Sequence, residues 1–146
     1  MTGILRRVGI DKRQDEVITI DVLHQCHKVL NLEWYRVNTL AAKRVIAEMG
    51  CWFICGFCTG LKGEEMLLIE YSGTAKSLKH LKDGCNGHFS FVILGRMKGN
   101  RLSGAKFEVP CIGTTEGTNL RPGKWIERLV SVRKVMKDET GRLFKR

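Results

Sequence analysis

The chain has 146 residues, which favours a single domain and leaves little room for a second. It is 43% hydrophobic and 27% charged, a balance that argues against disordered, collagen-like and low-complexity proteins. No apolar run reaches the roughly 18 residues that a membrane helix needs, and the N-terminus lacks the apolar stretch of a secretion signal. We therefore expect a soluble, intracellular domain that does not bind membranes.

Charge points to a class of partner. Twenty-five lysines and arginines against 15 acidic residues give a formal net charge of +10. Such an excess suits a polyanion, because neutralising phosphates releases condensed counterions. The alternative is a solubilising surface, which charge alone leaves open.

The N-terminal part of the chain divides into a tail and a helix. Residues 1–17 are polar and charged and predict a tail, so that 18–146 form the folded domain. A helix is predicted from about Ile18 onward, with Thr19 or Asp21 near its start. Its apolar face comprises Val22, Leu23, Cys26, Val29 and Leu30.

A second helix is predicted from Asn38 or Thr39 toward Cys58, amphipathic at first and then apolar almost all round. Thr59-Gly60 should end it. Two short helices are expected next, over Glu64–Ile69 and Ala75–Leu81.

The pattern then changes to that of a β-hairpin. His88–Leu94 is rich in aromatic and β-branched residues, and Ala105–Cys111 alternates between apolar and polar residues. Gly95–Gly104 between them is a glycine-rich basic loop. A last helix should open at Asn119–Pro122 and end at Gly141; its apolar face comprises Trp125, Leu129, Val132 and Met136. The order predicts an α+β fold that is mainly α, with one β-hairpin.

Three of the six cysteines share a motif. Cys51, Cys55 and Cys58 have the spacing that resembles the cluster-binding motif of radical S-adenosylmethionine enzymes. On a helix, however, the same positions form one buried face, where reduced cysteine acts as a small hydrophobe. We expect free thiols and core packing. A small iron–sulfur or metal-binding protein using these cysteines is the alternative function.

A second group of candidate metal ligands comprises His24, Cys26 and His27. His24 and His27 share a helix face, but no second ligand pair follows at a finger-like spacing. A structural zinc site usually needs four ligands, so we expect no metal here and no cofactor.

The run Thr59-Gly-Leu-Lys-Gly-Glu-Glu-Met-Leu-Leu68 carries a family resemblance. It resembles the first catalytic motif of tyrosine recombinases, Thr-Gly-Leu-Arg-x-x-Glu followed by aliphatic residues, and is most similar to the version in eukaryotic Crypton-type mobile elements. A plain junction between two helices is the alternative.

Two further segments extend the resemblance. Ile93–Gly99 is similar to the family's Leu-Gly-Arg-Phe-Lys-Gly segment, and the run from Leu120 is similar to the helix that follows its hairpin. The resemblance spans roughly residues 18–146 and implies the helical part of a recombinase catalytic domain.

The resemblance implies roles for individual residues. Lys62 would replace the arginine that binds the reacting phosphate, Glu65 would support it, and Lys98, with Lys106 as the fallback, would protonate the departing oxygen. Duplex DNA is the implied partner, together with further recombinase protomers, and the nucleus is the implied location in a eukaryote. The implied DNA-binding residues are Lys62, Arg96, Lys98, Arg101 and Lys106.

The chain departs from the family pattern in two respects. Lys62 is a point charge that cannot fork onto two phosphate oxygens as arginine does. The only tyrosines, Tyr35 and Tyr71, are not at the position of the family's nucleophile. We therefore expect the N-terminal half of a catalytic domain, which binds DNA without catalysis. A helical module that meets an acidic protein remains the third hypothesis.

Overall fold

The computed structural model describes residues 19–82, 86–94, 106–115, 117 and 120–144. The predicted tail, residues 1–17, lies outside these ranges. The α-helices are α1 (Ile20–Arg36), α2 (Leu40–Gly50), α3 (Gly56–Thr59), α4 (Gly63–Met66), α5 (Tyr71–Ser77) and α6 (Pro122–Val135). A π-helical turn (Cys51–Cys55) joins α2 to α3, and a 3₁₀ turn (Leu78–His80) follows α5. The strands are β1 (Ile69–Glu70), β2 (His88–Leu94) and β3 (Lys106–Ile112).

The two long N-terminal helices begin at threonine caps. The hydroxyl oxygen of Thr19 accepts a hydrogen bond from the amide of Val22, and that of Thr39 accepts one from the amide of Ala42. Each cap satisfies a first-turn N–H that has no partner within the helix. Both predicted starts are confirmed, and the predicted apolar face of α1 is buried at Leu23, Cys26 and Leu30.

The predicted helix toward Cys58 is confirmed as one continuous helical run from α2 through α3. Its middle is π-helical, because the amide of Gly56 donates to the carbonyl of Cys51, five residues back. Gly60 ends the run in the left-handed conformation, with φ of 73°, which glycine adopts without steric cost.

A three-stranded antiparallel sheet in the order β1-β2-β3 contains the predicted hairpin. Ile69 of β1 lies opposite Ile93 of β2, and Phe91 of β2 lies opposite Val109 of β3. The mainly helical α+β class is thus confirmed, but the prediction of a single hairpin missed β1. The predicted short helix over Glu64–Ile69 is wrong at its end, since α4 stops at Met66 and Ile69 enters the sheet.

Helix α5 completes the hydrogen bonding of β2. The hydroxyl of Thr74 accepts from the amide of Val92 at 3.1 Å, and the hydroxyl of Ser77 accepts from the amide of Ser90 at 3.0 Å. Two amides of β2 are thereby paired, one opposite the last residue of β1 and one beyond it. The predicted helix over Ala75–Leu81 is therefore shifted, because helical structure starts at Tyr71 and ends in the 3₁₀ turn.

Helix α6 packs on α2 and also contacts β3. Pro122 occupies its first turn, as predicted, and Trp125, Leu129 and Val132 are buried. The predicted end at Gly141 is wrong: the helix stops at Val135, and the chain turns through Lys137, whose φ is 57°. The last residue of the predicted apolar face, Met136, is 37% exposed.

The segment after α6 is held by a buried arginine. The guanidinium of Arg133, fully buried, donates to the carbonyls of Asp138, Thr140, Arg142 and Leu143. It also contacts the Asp138 carboxylate at 3.4 Å and lies 4.2 Å from the ring centroid of Tyr71. The segment in turn pairs with β1, where the amide of Leu143 donates to the carbonyl of Ile69 at 2.7 Å.

The hydrophobic core lies where the α2–α3 run, α6 and the inner face of the sheet meet. Within the described ranges, no helix is both long enough and apolar enough to cross a membrane.

Two glycines of the α2–α3 run provide a matched test of this packing. A Cβ added at Gly50 would lie 2.3 Å from two ring atoms of buried Trp125, whereas one at Gly56 would meet only the terminal methyl of Met66 at 3.8 Å. We expect Gly50→Ala to lower the free energy of unfolding by about 1–3 kcal/mol through overpacking. Gly56→Ala should raise it by up to about 1 kcal/mol, because alanine favours the helical conformation. Urea unfolding of both variants measures the difference; equal stabilities would contradict the packing of Trp125 on Gly50.

Candidate nucleic-acid interface

The Thr59–Leu68 segment contains a tight turn, which joins α3 to α4, and α4 itself. The hydroxyl of Thr59 donates to the carbonyl of Cys55 at 2.8 Å and accepts from the amide of Leu61 at 3.3 Å. Leu61 packs against the core, while the next residue, Lys62, is exposed. The turn therefore anchors one side of the segment and presents a lysine on the other.

Glu65 supports Lys62 through the main chain. Its Oε1 accepts a hydrogen bond from the amide of Lys62 at 3.0 Å, which is one half of a capping box at the start of α4. The other half cannot form with a side-chain acceptor, because the lysine ammonium only donates. Glu65 thus holds the backbone of Lys62, whose φ is −81° and ψ is 161°, and its supporting role in phosphate binding stays a prediction.

The same segment meets the base of the predicted basic hairpin. The amide of Leu94, the last residue of β2, donates to the carbonyl of Leu68 at 3.0 Å. Lys106, the first residue of β3, lies opposite Leu94 in the sheet. Two segments that the sequence analysis singled out separately are therefore joined at this end of the sheet.

Lys106 is exposed but has an acidic neighbour. Its ammonium lies 3.6 Å from the Oε2 of Glu70, and 62% of its side chain is accessible to solvent. The other carboxylate oxygen of Glu70 accepts from the amide of Gly73 at the start of α5. An ion pair at this exposure contributes little to stability, so Lys106 remains accessible to another anion.

Glu70 is a residue of this region that the sequence analysis missed. A carboxylate three residues before Gly73 is a helix N-cap signal that the sequence did contain. The other predicted DNA-binding residues, Arg96, Lys98 and Arg101, lie outside the described residues, as does the whole predicted loop Gly95–Gly104.

The two tyrosines differ in the accessibility of their hydroxyls. The hydroxyl of Tyr71 is buried and donates to the carbonyl of Val130 at 3.3 Å, and burial raises the pKa of this phenol. Tyr35 is 69% exposed, and its hydroxyl accepts from the Arg128 guanidinium at 3.4 Å. Tyr35 lies on α1, which is separated from the Thr59–Leu68 segment by the α2–α3 run.

Five cysteines are described, and all are free thiols. Cys51 and Cys55 are fully buried and Cys58 is half-buried, and the thiols of Cys55 and Cys111 donate to the carbonyls of Pro122 and Ile112. Burial raises the pKa of Cys58 to about 11 and that of Cys55 well above its usual range. Metals bind thiolates, so the raised pKa values of Cys55 and Cys58 oppose metal ligation by these two side chains. In the part of the chain that the structure describes, no group of three or more His, Cys, Asp or Glu side chains is arranged to hold a metal ion.

His27 is hydrogen-bonded to a tryptophan. The indole Nε1–H of Trp125 donates to its Nδ1 at 3.1 Å, which requires that this nitrogen carry no proton. Cys26, by contrast, is buried in the core. Burial lowers the pKa of His27, and the positive charges of Lys124 and Arg128 lower it further, with smaller contributions from His24 and Arg121.

Comparison of the chain with protein-family models, with curated protein sequences and with solved structures gave no significant match.

The environment of His27 predicts a pH dependence of stability. Because its pKa is lowered in the folded state, the unfolded chain binds the proton more tightly. The associated stabilisation is present above the unfolded pKa of about 6.5 and is lost as the pH falls below it. We expect His27→Asn, whose amide oxygen can still accept from Trp125, to lose less stability between pH 7 and pH 5 than the wild type.

Urea unfolding at several pH values measures this slope. His80→Asn, at an exposed histidine, is the control and should keep the wild-type slope. Identical slopes for all three proteins would contradict the neutral state assigned to His27.

Proposed function

We propose that this chain binds duplex DNA, that it is related to the recombinases of site-specific recombination and integration, and that it binds without cleaving strands. The proposed contact surface comprises Lys62, Lys106 and the loop cations Arg96, Lys98 and Arg101. This surface is called the hairpin face below.

The observation that carries the proposal is the hydrogen bond between the amide of Leu94 and the carbonyl of Leu68. It brings the lysine-bearing turn next to the two strands from which the basic loop emerges. Cations from separate parts of the sequence can then contact one phosphate backbone, which single scattered lysines cannot do.

The charge balance supports the same conclusion. The net charge of +10 is sufficient to attract a polyanion, and the hairpin face holds five of the 25 basic residues. Two described carboxylates adjoin it: that of Glu65 accepts from the amide of Lys62, and that of Glu70, beside Lys106, also accepts from the amide of Gly73. Contacts of lysine with phosphate position a protein on DNA but carry no sequence information, so the proposed binding is non-specific.

Two side chains support the proposed absence of cleavage. A nucleophilic tyrosine must reach the phosphate with an ionisable hydroxyl, and Tyr71 is buried with a raised pKa. Lys62 offers a single ammonium where two parallel hydrogen bonds would stabilise the developing charge.

Substitution of the lysines tests the binding surface. We expect Lys62→Ala and Lys98→Ala each to weaken binding to unrelated duplexes by similar factors. Each should also reduce the slope of log K against log salt by about one unit, because one phosphate contact is lost. Fluorescence anisotropy over a series of salt concentrations measures both quantities.

Lys134→Ala is the matched control, since it removes the same charge from an exposed position on α6. An effect of this control equal to that of Lys62→Ala would show that only net charge matters. Equal competition by an acidic polypeptide and by duplex DNA would favour the acidic-protein hypothesis instead.

Lys62→Arg separates binding from catalysis. A guanidinium can fork onto two phosphate oxygens, so we expect modestly tighter DNA binding. We expect no covalent protein–DNA adduct from either the wild type or this variant on nicked duplexes, as measured on denaturing gels. An adduct mapped to Tyr35 or Tyr71 would contradict the proposal of binding without cleavage.

A further inference from the structure

A cleft lies between α1 and the start of α6, away from the segments that form the hairpin face. Its volume is about 470 Å³, within the range of small-ligand sites. Six polar side chains line it: His24, Gln25, His27 and Lys28 from α1, and Arg121 and Lys124 from the start of α6.

The lining is strongly positive. Lys28, Arg121 and Lys124 are cations, and the part of the lining that the structure describes includes no carboxylate. Among the ion pairs of the described residues, none involves these three side chains. Like charges that converge on a concave surface repel one another, so an anion bound between them would relieve an electrostatic cost of the fold.

His27 contributes a hydrogen-bond donor. Its Nδ1 accepts from the Trp125 indole, so the neutral ring carries its proton on Nε2. The same bond fixes the orientation of the ring, which stands at 89° to the indole. The cleft therefore has a positioned N–H beside its flexible cations.

A further positive charge lies beside the Trp125 indole that bonds His27. Arg128 is 8% exposed, and its guanidinium carbon lies 4.7 Å from the ring centroid of Trp125. Its Nη2 donates to Asn31, while its buried Nη1 has no hydrogen-bond partner within the described ranges. Its positive charge opposes protonation of His27.

The main chain at the start of α6 adds little to the cleft. The amide of Gly123 donates to the carbonyl of Gly113, and that of Lys124 donates to the carbonyl of Arg121. Side chains, and not free helix amides, would therefore hold a ligand.

We propose that this cleft binds a phosphate group, held by the charges of Lys28, Arg121 and Lys124 and by the Nε2–H of His27. Arginine, lysine and a neutral histidine N–H together satisfy a tetrahedral oxyanion with donors alone. The phosphate belongs either to a free ligand or to a nucleic-acid backbone. The proposal does not rest on DNA binding by the hairpin face, because the cleft shares no residue with it.

Histidine NMR tests the proposal on the full chain. Inorganic phosphate is titrated at constant ionic strength, with chloride as the replaced anion, and the imidazole signals are followed. The chain has four histidines, of which His24 and His27 line the cleft, while His80 and His88 do not. We expect saturable shifts of the first pair only. Arg121→Gln and Lys124→Gln should each weaken binding about tenfold, and Lys62→Ala should leave it unchanged.

A second titration with a short DNA duplex identifies the source of the phosphate. Shifts of the cleft histidines with inorganic phosphate alone support a free ligand, and shifts with the duplex that Arg121→Gln abolishes support a nucleic-acid backbone. No shift with either probe, or shifts that both glutamine variants retain, would overturn the proposal. Thermal melting of the variants checks that they are folded. Weaker DNA binding by Lys62→Ala with an intact phosphate response would separate the two sites.

Discussion

The buried guanidinium of Arg133 is the interaction on which the C-terminal third of the fold depends. Burying a charge is costly unless it is fully hydrogen-bonded, and here four main-chain carbonyls and a carboxylate satisfy it. The carbonyls all come from the segment after α6, so that segment is ordered by the arginine. It then supplies the main-chain partner of Ile69 in β1, and β1 continues directly into α5. One side chain thereby couples the last helix to the sheet and to the end of the Thr59–Leu68 turn.

The parts of the fold that the sequence predicted are those specified by local signals. Threonine caps, the helical period and the alternation along β3 act within one element, so Thr19, Thr39 and the hairpin strands were identified correctly. The two residues of β1 are too few to show an alternation of apolar and polar side chains. Their strand conformation depends on contacts with β2 and the C-terminal segment. The burial of Arg133 could not be predicted either. An arginine between Val132 and Lys134 is typical of a solvent-exposed position, and its hydrogen-bond partners lie beyond the end of the helix.

In the candidate sites, too, contacts between residues close in sequence could be predicted, and contacts between distant residues could not. The Lys62–Glu65 hydrogen bond joins residues three apart and follows from the capping pattern at a helix start. The pair of Lys106 with Glu70 and the pair of His27 with Trp125 join distant residues, 98 apart in the second case. The π-helical turn is also a tertiary feature, because a helix of apolar residues gives no sign of where one extra residue enters a turn. Such pairings required the packed structure.

The sheet has consequences for how this protein associates. Hydroxyls of α5 accept from the β2 amides of Ser90 and Val92, and the C-terminal segment pairs with β1. On the outer strand β3, Pro110 has no amide to donate, and Lys106 and Glu108 are exposed charges. These are the devices by which proteins prevent strand-by-strand aggregation at a sheet edge. We expect these features to make the outer edge of β3 a poor template for a further β-strand.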